Sequence, residues 1–190
     1  MKQSEKILIL SASEEIRLSL AETAAAVSDE ICTGDGTDMR SRSYDAYGTV
    51  IIAVPLAAEY GIDLAAHICR SSEASVILLV PQKSIEDICR RTADTGIYVL
   101  PRNAGRQCII QAIRFMSYNR RRLSALTKEK DQLSEKIREN KLIHRAKCAL
   151  MHYLSISESE AHRQIQKLAM DSRISLADAA VNILKNYEYL

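Results

Sequence analysis

Val76-Ile77-Leu78-Leu79-Val80 is a continuous apolar run rich in β-branched residues. A strand with one wet face alternates apolar and polar residues, so a run without a polar position predicts a strand covered on both faces, as in a parallel sheet between helical layers. Lys6-Ile7-Leu8-Ile9-Leu10, Val50-Ile51-Ile52-Ala53-Val54 and Ile97-Tyr98-Val99-Leu100 read the same way, with Glu30-Ile31-Cys32 as a weaker fifth. Amphipathic stretches near residues 13 to 27, 59 to 71, 83 to 94 and 105 to 118 alternate with them. That alternation predicts an α/β fold, a doubly wound parallel sheet over residues 1 to 118.

The chain has 190 residues, enough for one large domain or two small ones, with 47% apolar and 26% charged residues, as in ordinary soluble proteins. No apolar run approaches the roughly 18 residues that span a bilayer, and Met1-Lys2-Gln3-Ser4-Glu5-Lys6 leads into a short strand rather than a secretory segment. A cytoplasmic protein without membrane contact is expected. Cys32, Cys69, Cys89, Cys108 and Cys148 form no C-x-x-C pair, which predicts reduced, mostly buried thiols. The net charge of +2 is unevenly spread. Residues 1 to 118 carry 12 basic and 15 acidic side chains, and residues 119 to 190 carry 14 and 9, so the basic end permits a polyanionic partner.

From Tyr118 the period changes. Leu123, Leu126, Leu133 and Ile137 fall at a and d positions of a heptad, with Lys130 and Asn140 in the remaining seam positions. Residues 119 to 141 therefore read as a coiled-coil dimerisation helix, the alternative being one amphipathic helix folded back on its own sheet domain. Arg120-Arg121-Arg122 reads as a solvated face. The helix continues without Pro or Gly to Leu154. Ser157 with Glu160, and Ser175 with Asp178, are capping patterns that place helix starts near Glu158 and Leu176. A small three-helix bundle over residues 142 to 190 follows, its core drawn from Leu142, Ile143, Ala146, Ala149, Leu150 and Leu154 of the first helix, Ala161, Ile165 and Leu168 of the second, and Leu176, Ala179, Ala180, Ile183 and Leu184 of the third.

On that bundle Arg145, Lys147, His162, Arg163, Gln166, Lys167 and Arg173 supply cations and planar donors suited to phosphates and unpaired bases, unless they pair with Glu158, Glu160 or Asp171. Ile143-His144-Arg145-Ala146-Lys147-Cys148-Ala149-Leu150-Met151, Ser157-Glu158-Ser159-Glu160-Ala161 and Leu168-Ala169-Met170-Asp171-Ser172 together resemble the ANTAR domain, the RNA-binding output module of bacterial antiterminators. The family's A-K-G-x-L-M pattern falls on Ala146 to Met151, S-E-x-E-A on Ser157 to Ala161, and A-M-D-S on Ala169 to Ser172. Cys148 replaces the usual Gly, and Gln166-Lys167 stands where Leu-Arg is frequent. The resemblance implies RNA contacts by Arg145, Ala146, Lys147, His162, Arg163, Gln166, Lys167 and Arg173. It also implies a homodimer that grips paired stem-loops of a leader mRNA and prevents terminator formation, with a ligand-sensing regulatory protein as the controlling partner.

The first domain resembles a response-regulator receiver in segment order. Where receivers carry an acidic pair, a phosphorylatable Asp, a Ser or Thr and a Lys, this chain reads Ser11-Ala12-Ser13, Ala53-Val54, Val80 and Arg102. Without carboxylates for Mg²⁺ and phosphoryl transfer, the expectation is a pseudo-receiver that works unphosphorylated. Another flavodoxin-like domain with a small-molecule site at its strand ends is the alternative. Asp35, between Gly34 and Gly36, and Asp63 after Gly61 read as turn residues rather than groups at strand ends. His144, Cys148 and His152 share a helix face and, with His162, form a candidate metal set; the expectation is no metal, no cofactor and no enzymatic activity, since no nucleophile elbow, phosphate loop or H-E-x-x-H occurs. A DNA-binding regulator is disfavoured because the segment 176–187 has only Lys185 as a cation. A protein-interaction scaffold remains the other alternative, and control of the domain by a bound ligand or by dimer assembly also stays open.

Overall fold

In the computed structural model, which describes residues 5–37, 43–56 and 61–187, the chain divides into two compact units, Met1–Ser124 and Ala125–Leu190. The first unit carries five parallel strands, β1 (Ile7–Ser11), β2 (Ile31–Gly34), β3 (Thr49–Ala53), β4 (Ser75–Val80) and β5 (Tyr98–Pro101), ordered β2-β1-β3-β4-β5. Each apolar run of the sequence forms a strand, the weak fifth included. Helices α1 (Glu14–Ala24), α2 (Ile62–Ser71), α3 (Ile85–Thr92) and the start of α4 (Arg106–Leu154) connect or follow them. Residues 59 and 60, assigned by the sequence to the second helix, lie outside the described residues.

Alternation along each strand sorts the core into two layers. Leu8, Leu10, Val50, Ile52, Val76 and Leu78 pack with Leu64, Ala65 and Ile68 of α2 and Ile88 of α3. Ile7, Ile9, Ile51, Ala53, Ile77 and Leu79 pack instead with Leu20 and Ala24 of α1 and Ile109, Ile110 and Ile113 of α4. The register Ile9 to Ile51 to Ile77 keeps like-facing residues side by side. Because both layers are apolar, a one-residue slip would exchange every side chain between them and mismatch both helical covers.

Asp35 directly follows β2, against the expectation that it stands apart from a strand end. Its carboxylate nevertheless does turn chemistry, accepting from the Thr37 backbone N–H at 2.9 Å. The Thr37 hydroxyl, and after it that backbone bond, hold its pKa below the usual carboxylate range. The cysteines also depart from expectation. Cys89, Cys108 and Cys148 are exposed, and Cys32 and Cys69 are half-buried. Burial pushes the Cys69 thiol up to about 11.

Glu5 is buried just before β1, and its Oε1 accepts from Arg120 Nη2 at 2.8 Å. Its Oε2 has no hydrogen-bond partner. The carboxylate fits because residue 48 is Gly: a Cβ there would overlap the Glu5 side chain.

In the second unit, the end of α4 packs with α5 (Glu158–Ser172) and α6 (Leu176–Tyr187). Helices α5 and α6 begin where the capping patterns put them. Ala146, Ala161 and Ala180 are wholly buried, and small side chains at these contacts let the helices approach closely around Leu150, Ile165, Ile183 and Leu184. Helix α4 ends at Leu154, which like Leu176 is exposed rather than packed in the bundle core as expected, and Ser155 after it takes a left-handed φ of 53°. No break interrupts α4 at 118/119 or 141/142, so the sequence-assigned domain boundaries fall within one helix.

Gly48→Ala is expected to lower unfolding stability by about 1–3 kcal/mol by expelling Glu5 from its niche. Since Arg120→Gln breaks the same contact, the double variant should lose less than the sum of the single losses in chemical denaturation. Additive losses would contradict this account.

Candidate nucleic-acid interface

The capping box orders the surface of α5. Ser157 Oγ accepts from the Glu160 backbone N–H at 3.3 Å, and Glu160 Oε2 accepts from the Ser157 backbone N–H at 2.9 Å. Ala161, Ile165 and Ala169 form the buried stripe of the helix. Arg163, Gln166 and Lys167 are exposed, and the spacing of Arg163, Lys167 and Met170 puts these three on one face turned from that stripe.

The other expected RNA-contacting residues divide. Arg145 is exposed on α4, and Arg173 is exposed at the C-cap of α5, where it takes a left-handed φ of 54°. His162 is half-buried, and its Nδ1 is buried without a hydrogen-bond partner. Ala146 requires a correction. It is 0% exposed and packs in the bundle core, so its side chain cannot meet RNA. Cys148 is exposed rather than packed, so the departure from Gly alters surface and not core. Its Sγ lies 3.7 Å from His144 Nε2. Among the described residues no three His, Cys, Asp or Glu side chains form a metal-holding group.

Lys147 is largely covered, and its Nζ lies 2.6 Å from Glu158 Oε1. The pairing that competes with nucleic-acid contact is thus present for this lysine. Its hydrogen bond, and secondarily its charge, hold the Glu158 carboxyl below the usual carboxylate range. Glu158 itself is exposed, so solvent screening keeps the pair's contribution to stability small. Glu160 is likewise lowered, chiefly by the Ser157 hydroxyl, then by the Ser157 backbone.

Met170 was missed as a surface residue. It is 78% exposed, beside the cations of α5. The signal was present: position 170 falls outside the Ala161, Ile165, Leu168 stripe. At the end of the bundle Tyr153 and Tyr187 approach with ring centroids 5.4 Å apart, and His152 meets Tyr153 edge-on at 5.1 Å.

Leu123, Leu126, Leu133 and Ile137 are each more than half exposed. Around them, Lys130–Asp131 and Arg138–Glu135 lie at 3.8 Å, both largely exposed pairs.

The strand ends of the first unit carry no carboxylate at the receiver positions. Ser11, Ala53, Val54 and Val80 are buried, and guanidinium groups cover the carbonyls there. Arg102 Nη1 donates to the Val54 carbonyl at 3.2 Å, and Arg17 Nη1 donates to the carbonyls of Ser11 and Ala12. This donor-rich, acid-poor set does not fit Mg²⁺, which requires anionic or neutral oxygen ligands.

Residues 131–184 match the ANTAR domain family. The chain is 29% identical over 184 residues to the transcriptional regulatory protein PdtaR of Mycobacterium tuberculosis, covering 95% of this chain and 89% of that protein. In fold it is similar to a response regulator receiver domain protein from Clostridium thermocellum, with TM-score 0.56, 16% identity, and coverage of 63% of this chain and 98% of the other. It is also similar to the response regulator StyR, with TM-score 0.61, 16% identity, and coverage of 97% and 100%.

A carboxylate whose folded pKa is depressed stabilises the fold at neutral pH, and that stabilisation is lost as pH falls through the folded pKa. Lys147→Gln should therefore melt slightly below the unaltered protein at pH 7. The gap should close as pH drops below the ordinary carboxylate range, as followed by circular dichroism at several pH values. A gap undiminished at about pH 3 would contradict the assignment.

Proposed function

We propose that this chain, which carries an ANTAR domain behind a receiver-like α/β fold, is an RNA-binding transcription antiterminator. The observation that carries the reading is the ANTAR match over the bundle, where Arg163, Gln166 and Lys167 line the exposed side of α5. Cations there neutralise phosphates, and the planar Arg and Gln groups bond to the edges of bases left unpaired in a hairpin loop, which an A-form duplex hides. Binding to stem-loops of a leader mRNA prevents formation of the overlapping terminator hairpin, and polymerase continues.

The exposed stripe Leu123, Leu126, Leu133 and Ile137 supports a homodimer formed along a stalk, residues 119 to 141 of α4. Two bundles on one dimer would engage two hairpins at raised effective concentration. The acid-poor strand ends support activity without phosphorylation, so control comes through contact of a ligand or a ligand-sensing protein with the first unit. No catalytic step is part of this function. The DNA-binding alternative is disfavoured by α6, where Lys185 is the single cation.

Fluorescence anisotropy with a two-hairpin leader RNA and a duplex DNA of matched length, titrated with salt, tests the reading. The protein should prefer the RNA and lose that preference when loop bases are changed. Replacing Arg145, Arg163 and Lys167 by Gln should weaken binding and reduce the salt slope by about three. Unaltered affinity in a folded variant, or indifference to loop identity, would refute it.

The stalk is tested separately by sedimentation. Leu126→Ala with Leu133→Ala should convert a dimer to monomer while leaving the bundle folded. A monomeric unaltered protein would remove the stalk dimer.

A further inference from the structure

We propose that the receiver-like unit binds a small organic anion, with a carboxylate or phosphate head and an apolar body, in the cleft between α1 and the start of α4. The cleft has a volume of about 500 Å³, within the range of small-molecule sites. Leu79 near the end of β4 and Arg102 just after β5 line it, so it opens at the carboxyl edge of the sheet, where parallel α/β folds take their ligands.

The lining divides by chemistry. Leu20, Leu79 and Ile109 are buried and provide apolar surface. Arg102 and Arg106 provide cations, against one lining carboxylate among the described residues, Glu15. Arg102 commits one donor to the Val54 carbonyl, and a guanidinium has five, so it retains hydrogen-bonding capacity. Arg106 is exposed at the first position of α4, whose first turn contains no acidic residue. The N–H groups of that turn and the positive end of the helix dipole therefore act in the same sense as the two arginines.

The charge pattern is the reverse of what a metal-dependent phosphoacceptor needs. Carboxylates at the receiver positions draw in a divalent cation; here Ser11, Ala53, Val54 and Val80 stand at those positions, Asp35 after β2 is bonded into its own turn, and the cleft presents guanidinium groups to an anion. The apolar portion of the cleft makes a bare inorganic ion a poor match and favours a ligand that buries a hydrocarbon or ring against Leu20 and Ile109. This inference concerns the first unit alone and stands apart from RNA contact by the second.

Calorimetry and thermal melting of the full chain test it, with phenyl phosphate, benzoate and inorganic phosphate as probes against potassium chloride at equal ionic strength. Phenyl phosphate, benzoate or both should bind saturably with one-to-one stoichiometry and raise the Tm, the tighter of the two identifying the head group, and inorganic phosphate should bind more weakly. Arg106→Gln should weaken binding at least about tenfold, the scale of one lost charged hydrogen bond. Ser19→Phe, which fills the cleft from an exposed lining position, should abolish it with the fold unchanged by circular dichroism. No effect of either organic anion beyond that of chloride would overturn the proposal. So would equal affinity in folded Arg106→Gln and Ser19→Phe proteins.

Discussion

From Arg106 to Leu154 the chain contains neither Gly nor Pro, and the backbone ladder of α4 runs unbroken. That constraint makes one helix serve three environments. Ile109, Ile110 and Ile113 complete a core layer of the sheet, Leu123 to Ile137 present an apolar stripe to solvent, and Ala146 and Leu150 enter the core of the bundle. The middle stretch has no tertiary cover among the described residues, and every residue from Ala125 to Lys141 is exposed. Its ion pairs are solvent-screened and contribute little. Helical order there depends on packed turns at both ends, which avoid the cost of nucleation, and on the partner proposed for the leucine stripe.

The receiver-like unit illustrates how a fold outlasts the chemistry usually found on it. Its strands need only apolar residues on both faces, so the order β2-β1-β3-β4-β5 persists while the carboxylates of the receiver positions do not. Arg17 and Arg102 bind backbone carbonyls at that edge, satisfying acceptors that would otherwise be open to solvent or to a cation. The result is a surface of opposite electrostatic preference on the same scaffold.

Much of the fold was legible in the sequence because it rests on short-range rules. Continuous apolar runs marked the strands, and Ser157 with Glu160 and Ser175 with Asp178 fixed the helix starts. What escaped were properties set by helix phase and by distant partners. Ala146, within a recognisable motif, faces the core. Cys148, two residues on, faces solvent. Lys147 looks like a free cation until the turn after Ser155 brings Glu158 to 2.6 Å from it. The Glu5 and Arg120 pair joins residues 115 positions apart, a separation no local pattern reports. Met170 was legible in principle, since its position breaks the apolar stripe of α5.

The all-parallel sheet carries a kinetic consequence. Parallel neighbours cannot be joined by tight turns, and pairing Ile7 with Thr49 closes a long loop before any bond in that ladder can form. Helices α5 and α6, adjacent in the chain, meet through contacts of short sequence separation. Loop-closure entropy therefore delays the sheet relative to the helical pair, whose elements form within microseconds. The terminal helices acquire their structure early, and maturation of the whole protein is timed by its β ladder.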